Sequence, residues 1–162
     1  MRNAHANSPP ARTHNIRLNV KNTGHDYLGR SNAPGSLSIW THNLNHIAYH
    51  AEWYKLGGSG NILQGNAITV GAGAEMYDIY VAADRYNQTI VGGGGKTVGI
   101  GGYVTGGGHS MLAPRYGLAA DNVLEMEIVT PGGDIVIANE DRHQDLFWAM
   151  RGVGLTDCVP QF

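Results

Sequence analysis

Apolar and polar residues alternate along residues 16–20 and 123–130, a pattern typical of half-buried β-strands. Short apolar runs between turn-forming residues predict further strands over residues 37–40, 47–50, 67–70 and 135–137. Pro131, Gly132 and Gly133 separate residues 123–130 from residues 135–137, and these two stretches are therefore predicted to form a hairpin. Residues 55–65 are rich in glycine, serine and asparagine and predict a turn region.

Two segments have the apolar spacing of an amphipathic helix. The first covers residues 75–86, and its apolar face is formed by Ile79, Ala82, Ala83 and Tyr86. The second ends at Met150, with Asn139 or Asp141 as the expected N-cap. The side chains that it is expected to bury are Leu146, Phe147 and Trp148.

The most unusual stretch runs from Gly92 to Gly108, where 10 of 17 residues are glycine. Each glycine costs a helix roughly 1 kcal/mol relative to alanine, so we expect this stretch to be loop throughout. A loop so poor in side chains, flanked by strand-like segments, indicates a backbone that lies directly against a large flat or anionic ligand.

Neither of the two common glycine-rich nucleotide motifs fits this stretch. Gly95-Lys96-Thr97 is similar to the end of a P-loop, but Ile90 stands where that motif requires its first glycine. A P-loop would also require a helix across the glycines that follow. The dinucleotide pattern G-x-G-x-x-G fails because Val104 stands at its third glycine. A nicotinamide-binding Rossmann fold is therefore not predicted.

A second informative stretch, residues 21–27, directly follows the first predicted strand. Its Asn-Thr-Gly run favours a turn, in which consecutive backbone N–H groups can form a concave nest for phosphate oxygens. On this segment alone, the favoured interpretation is an ordinary strand-end turn that carries a solvated histidine.

Two further clusters are interpreted as structural. His42, His46 and His50 have the spacing of metal ligands on a helix, but their apolar neighbours favour strand, and no metal site is predicted. Glu125 and Glu127 alternate with apolar residues and are interpreted as solvent-facing carboxylates rather than an acid/base pair.

Taken together, the motifs have a recognisable order. KNTGHDYLGRS, then the glycine-rich stretch with Thr97-Val98-Gly99, then GGGHSMLAPRYGLAADN closely resemble the FAD-binding (PCMH-type) domain of berberine-bridge-enzyme-like, or vanillyl-alcohol-oxidase-type, flavoproteins of fungal type. The resemblance covers residues 15–152 and implies an α+β fold of two small α/β subdomains with FAD between them. Residues 1–14 are expected to be a loose segment, and residues 153–162 a divergent tail containing the lone Cys158.

The resemblance also implies which residues hold the cofactor. In that family the turn matching residues 21–27 cradles the FAD diphosphate, and the histidine matching His25 commonly bonds to the flavin 8α carbon. Gly95 stands where many relatives carry a second, cysteinyl link, so that link is excluded. The implied FAD-binding residues are Lys21, Asn22, Thr23, Gly24, His25, Asp26, Tyr27, Gly95, Thr97, Val98, Gly99, Gly101, Gly102, Thr105, Gly106, Gly107, His109, Ser110, Tyr116, Gly117, Asn122 and Val123.

The implied function is the FAD-binding module of an oxidase that moves a hydride from a substrate C–H bond to flavin N5 and is reoxidised by O2. The resemblance further implies an incomplete domain, without opening strands and without the C-terminal domain that shapes the substrate pocket, so no catalytic residue is predicted. Two alternatives stay open: a non-catalytic remnant with weak or no FAD binding, and a module for another nucleotide.

Composition limits the other partners. The 162 residues are 42% hydrophobic and 15% charged, which is sufficient for one domain with a core. The net charge of -2 and the lack of a basic run argue against nucleic acid, and the chain has no apolar stretch or leader that predicts a membrane or a secretory route. The expected partners are a small-molecule substrate, O2 and, through unpaired sheet edges, other copies of the chain.

Overall fold

The computed structural model describes residues 11–152. Within that range the strands pair into four two-stranded sheets, one parallel and three antiparallel. The pairs are β1 (Leu18–Lys21) with β2 (Leu37–Trp40), β3 (Ile47–His50) with β6 (Ala67–Val70), β4 (Trp53–Lys55) with β5 (Ile62–Gln64), and β7 (Glu125–Val129) with β8 (Ile135–Asn139). Only the first pair is parallel. The mixed architecture confirms the predicted α+β class.

Short helices complete the described part of the chain. They are α1 (Met76–Asp84), α2 (Ile100–Thr105), α3 (Ala113–Tyr116) and α4 (Gln144–Ala149), with 3-10 turns at Thr41–Asn43 and Ala119–Asn122. Among the described residues, none of these helices has the length and apolar character needed to span a bilayer. Residues 1–10 of the predicted loose segment and the predicted tail with Cys158 lie outside the described residues.

Most predicted elements are present. β2, β3 and β6 begin and end at the predicted residues, and β7 and β8 form the predicted antiparallel hairpin. Helix α1 buries Ile79 and Ala83 as expected, while Tyr86 follows the helix and stacks on the ring of Tyr49 at 3.9 Å. The short apolar runs, the alternation in β7 and the helical spacing in α1 therefore identified these elements correctly.

The expectation that residues 92–108 are loop throughout was wrong, because α2 lies within them and contains Gly101 and Gly102. Tertiary contacts fix the start of this helix: the Ile100 N–H donates to the Ala74 carbonyl at 2.9 Å, and Glu75 and Gly99 form an isolated β-bridge. Such contacts override a low helix propensity. A helix does follow Gly95-Lys96-Thr97, so the glycines there do not exclude a P-loop, whereas Ile90 in place of the first glycine still does.

The interpretation of Glu125 as a solvent-facing carboxylate was also wrong, and only the middle of the predicted turn region at residues 55–65 is turn. Residues 53–64 contain the β4–β5 hairpin, which lies beside β7. The Glu125 carboxylate accepts hydrogen bonds from the Gly57 N–H at 2.6 Å, the Asn139 amide at 2.8 Å and the Tyr54 hydroxyl at 3.3 Å. These hydrogen bonds compensate the cost of partly burying the carboxylate. Glu125 therefore joins the two hairpins.

Helix α4 begins later than predicted. Its N-cap is His143 in the left-handed conformation (φ 49°), and neither Asn139 nor Asp141 caps it. Asn139 is fully buried at the end of β8 and binds the Gly57 carbonyl, while Asp141 accepts a hydrogen bond from Asn61, so both side chains have other partners.

Helix α4 packs against β7 and β8 to form a core cluster of Ile128, Ala138, Phe147 and Met150. Phe147 is buried, and Leu146 packs partly against the cluster, both as predicted. Trp148 is 62% exposed, and the expectation of its burial was wrong because it points away from this cluster.

The histidines at positions 42 and 50 have structural partners. His42 stacks on Trp40 at 4.8 Å, and His50 shares a hydrogen bond of 2.9 Å with Thr69 across the β3–β6 pair. His50 lies in β3, as its apolar neighbours indicated, and not on a helix.

Candidate functional site

The turn after β1 and the segment before α2 lie against each other, although they are more than 70 residues apart in sequence. The His25 Nε2 atom is 2.8 Å from the Thr97 hydroxyl oxygen. The Gly99 N–H donates to the Thr23 hydroxyl at 3.1 Å. These contacts bring the two glycine-bearing stretches of the sequence onto one surface.

Asn22 fixes the position of this turn. Its amide nitrogen donates to the Ala72 carbonyl and, at 3.3 Å, to the Thr41 hydroxyl. Its Oδ1 atom is buried without a hydrogen-bond partner in the described part of the chain and lies directly against Gly99. A Cβ atom on Gly99 would overlap Oδ1 and lie 2.7 Å from the Asn22 Cγ atom, so the close approach of the two segments requires glycine there.

The turn itself presents an open backbone. Gly24 has a φ of +93°, which favours glycine, and both Gly24 and His25 are exposed. Within residues 11–152, the N–H groups of Thr23, Gly24 and His25 donate no hydrogen bond. The Lys21 amine lies beside this turn, 5.5 Å from the centre of the Trp40 ring. Free N–H groups next to an ammonium form an anion-binding surface.

Some glycines of the 92–108 stretch are explained by internal packing, and others are not. At Gly92, Gly93 and Gly108 an added Cβ would meet a neighbouring side chain within 3.0 Å, so internal packing explains them. At Gly94 and Gly102 an added Cβ would meet nothing within 4 Å, and neither has a positive φ. A glycine inside α2 costs roughly 1 kcal/mol, and no internal contact explains Gly102, whose exposed backbone is therefore open to close approach by another molecule.

Two tyrosines that the sequence analysis missed hold this stretch in place. The Tyr80 hydroxyl donates to the Gly93 carbonyl at 3.1 Å, and the Tyr103 hydroxyl donates to the His109 carbonyl at 2.7 Å. Phenols are protonated donors at neutral pH, and partial burial raises the pKa of both side chains further. For Tyr103 the available signal was its position among the glycines, because an aromatic ring fills the space that absent side chains leave, whereas Tyr80 lies in α1 and had no such signal.

Asp26 is committed to a neighbour. Its carboxylate accepts hydrogen bonds from the Arg30 guanidinium at 2.9 Å and from the Arg30 N–H at 2.6 Å. The hydrogen bonds and charge of Arg30 lower the pKa of Asp26, and the carboxylate in turn raises the pKa of Arg30. Tyr27 is fully exposed. Within residues 11–152, neither the Asp26 nor the Tyr27 side chain makes a hydrogen bond to Thr97.

Several predicted site residues have partners inside their own segment. The Thr105 hydroxyl donates to the Gly101 carbonyl at 3.0 Å, the buried Ser110 hydroxyl accepts the Leu112 N–H, and the Asn122 amide donates to the Tyr116 carbonyl at 3.0 Å. Val123 packs against the core cluster.

The glycines at residues 106–108 pack closely on the segment that follows α3. The carbonyls of Gly107 and Gly108 accept hydrogen bonds from Ala120 and Ala119, each at 3.0 Å. Gly117 has a φ of +76° and faces the Asp121 carboxylate. The exposed residues of the predicted set are Gly24, His25, Tyr27, Gly95, Thr97, Gly102, Gly106, His109, Tyr116 and Asn122.

The fold and this side-chain-poor surface define a domain for an anionic cofactor with a flat ring system. The chain belongs to the FAD binding domain family, which matches residues 10–139. The free N–H groups after β1 and the open glycines fit a diphosphate and a flat ring, so the residues present fit FAD.

The comparisons with known proteins agree with this membership. The chain is 48% identical over 149 residues to a VAO-type flavoprotein oxidase of Thermothelomyces thermophilus and 49% identical over 146 residues to aurantioclavine synthase of Penicillium expansum. These alignments cover 89% of this chain but 24% and 31% of the relatives.

Solved structures give the same result. A VAO-type flavoprotein of Myceliophthora thermophila superposes with a TM-score of 0.84 at 46% identity, covering 91% of this chain and 26% of that protein. The 6-hydroxy-D-nicotine oxidase of Arthrobacter nicotinovorans superposes with a TM-score of 0.80 at 26% identity, covering 93% of this chain and 31% of that one. The chain therefore has the FAD-binding domain of VAO-type flavoproteins and spans about a quarter to a third of the relatives' length.

Proposed function

We propose that this domain holds FAD through the turn after β1 and the glycine-rich surface around α2. The N–H groups of residues 23–25 would bind the diphosphate because they donate no hydrogen bond within residues 11–152, and the ammonium of Lys21 beside them would attract its negative charge. Gly94 and Gly102 would lie against the ring system, because no internal contact requires glycine there. The observation that carries the proposal is the His25–Thr97 contact, which closes these two surfaces into one.

We further propose that His25 bonds covalently to the flavin 8α carbon. The bond joins an imidazole nitrogen to that carbon and breaks one C–H bond there. One proton leaves the carbon and one leaves the imidazole, while the electron pair of the C–H bond is taken up by the flavin and passed to O2, which becomes H2O2. A single attachment is proposed, because Gly95 has no sulfur. An attached imidazole withdraws electrons from the ring and favours its reduction.

The activity proposed for the protein that contains this domain is that of an oxidase. Bound FAD supplies the chemistry, since it accepts a hydride from a substrate C–H bond at N5 and returns the electrons to O2. The part of this chain is to bind and orient the cofactor. The relatives named above are an oxidase and a synthase of fungi, and the proposed substrate is a small molecule.

Cofactor loading tests this function. We expect the purified 162-residue chain to show flavin absorbance, either as isolated or after incubation with FAD, and to bind FAD at least tenfold more tightly than FMN because only FAD brings the diphosphate. Flavin that precipitates with the polypeptide in acid would support the covalent bond, and flavin released to the supernatant would contradict that bond alone. A chain that gains no flavin absorbance would contradict FAD binding.

We also propose that this chain associates with itself through β1 and β2. Each two-stranded sheet has unpaired outer edges within the described residues, and an isolated pair of strands is marginally stable in water. Leu37 and Trp40 on β2 are 45% and 56% exposed, which gives a second copy an apolar surface to cover. Light scattering is expected to show dimers or larger species whose proportion falls in a Trp40→Lys variant, and a uniformly monomeric wild-type chain would contradict the proposal.

A further inference from the structure

The contact between His25 and Thr97 distinguishes the two nitrogens of the imidazole ring. Nε2 of His25 lies 2.8 Å from the Thr97 hydroxyl oxygen, while Nδ1 makes no hydrogen bond within the described residues. Both side chains are exposed, and within residues 11–152 the hydrogen bond to Thr97 is the one that the His25 ring makes. The two nitrogens of one ring are therefore in different situations, one engaged and one free.

We propose that Thr97 is a positioning residue that determines which nitrogen of His25 bonds to the flavin. This inference rests on the covalent attachment proposed above. Thr97 would accept the Nε2–H proton, so that Nδ1 carries the lone pair and is the nitrogen that forms the bond.

A neutral imidazole has one nitrogen that donates an N–H and one that presents a lone pair. A nitrogen must present its lone pair to bond to carbon, and the tautomer is set by the hydrogen bond that the other nitrogen makes. Nε2 has a hydroxyl oxygen at 2.8 Å, which blocks the approach of any other atom along that direction. Nδ1 is the nitrogen that remains accessible.

A bond at Nδ1 also gives the Nε2 proton a route to solvent. When Nδ1 bonds to the 8α carbon, the ring becomes cationic and must lose the proton on Nε2. That proton already lies in a hydrogen bond to the exposed Thr97 hydroxyl, which can pass it to water. The carbon loses its own proton to solvent, and O2 takes the two electrons, as in the overall reaction given above.

The first test needs no cofactor. Nitrogen-15 NMR of the histidine ring in the flavin-free chain is expected to show the Nε2–H tautomer for His25. In Thr97→Val, which removes the hydroxyl but keeps the branched shape, this preference is expected to weaken about threefold to tenfold, as expected for the loss of one hydrogen bond. Thr97→Ser keeps the hydroxyl and is the matched control that should retain the preference. An Nδ1–H tautomer in the wild-type chain would overturn the proposal.

The second test follows covalent attachment. After incubation with FAD, flavin fluorescence of the denatured chain should develop about threefold to tenfold more slowly in Thr97→Val than in wild type or Thr97→Ser. NMR of the isolated flavin peptide should show the Nδ1 linkage in wild type and an increased share of the Nε2 linkage in Thr97→Val. An unchanged rate and linkage in Thr97→Val would overturn the role of Thr97.

The outcomes separate this inference from the proposal on which it rests. Wild-type chain that binds FAD without fluorescence after denaturation would refute covalent attachment, whereas chain that binds no FAD would refute the proposed function itself. In both cases the tautomer of His25 would still decide whether Thr97 controls the imidazole.

Discussion

Replacing His25 with alanine is expected to abolish covalently bound flavin while the chain still binds FAD reversibly. His25 is the exposed imidazole at the junction of the two glycine-bearing segments, and its contact with Thr97 orients one ring nitrogen toward the protein. The diphosphate donors proposed for the turn are backbone N–H groups, which the substitution leaves in place. Reversible affinity is therefore expected to fall by less than about tenfold, because one exposed hydrogen bond is lost.

The measurement is flavin fluorescence of the acid-precipitated and denatured polypeptide. His14 is also an exposed histidine, and His14→Ala is the matched control that should retain wild-type fluorescence. Covalent flavin that persists in His25→Ala would show that another side chain carries the bond.

The second large effect is expected for Gly99→Ala. The added Cβ would overlap the Asn22 Oδ1 atom and lie 3.0 Å from the Thr23 Cγ2 atom. Asn22 cannot rotate away without giving up the bonds from its amide nitrogen to Thr41 and Ala72. Overpacking of this kind costs about 1–3 kcal/mol, and here it separates the two surfaces that would share the cofactor. We expect FAD retention to fall by more than about twentyfold, together with a lower free energy of unfolding.

Gly94→Ala provides the control for stability within the same stretch. A Cβ at Gly94 meets nothing within 4 Å and the residue is exposed, so the free energy of unfolding of this variant should stay within about 0.5 kcal/mol of wild type. Denaturant unfolding compares the stability of the two variants, and FAD titration measures the affinity of Gly99→Ala against wild type. A Gly99→Ala chain with wild-type stability and affinity would show that the approach of Asn22 to Gly99 is not required.

The elements whose residues carry their own pattern were predicted from the sequence. Features that depend on contacts between distant segments were not. Short apolar runs and the alternation in β7 identified β2, β3, β6 and the β7–β8 hairpin, because the residues of each strand carry that signal themselves. Glu125 was misassigned, since no pattern within β7 reveals that Gly57 and Tyr54 lie against it. Helix α2 was also missed, because the contacts of Ile100 with Ala74 determine that helix.

The site shows the same division. Residue chemistry alone favoured an ordinary turn at residues 21–27, and the family resemblance, rather than any spacing rule, linked that turn to Thr97. The structure then places His25 against Thr97 and Thr23 against Gly99. The fit of Asn22 against Gly99, and the tyrosines that hold the glycines, require coordinates, since they join residues far apart in the chain.

The parallel pairing of β1 with β2 has a consequence for how the domain assembles. The connection between these strands runs through residues 22–36, so the turn proposed for the diphosphate belongs to the loop that must close before they can align. Its contacts with Thr97 and Gly99 span 72 and 76 residues, and such long-range closure is entropically costly and slow. A molecule that binds only the closed arrangement shifts the equilibrium toward the native chain. FAD would thus act as a folding partner of this domain as well as its cofactor.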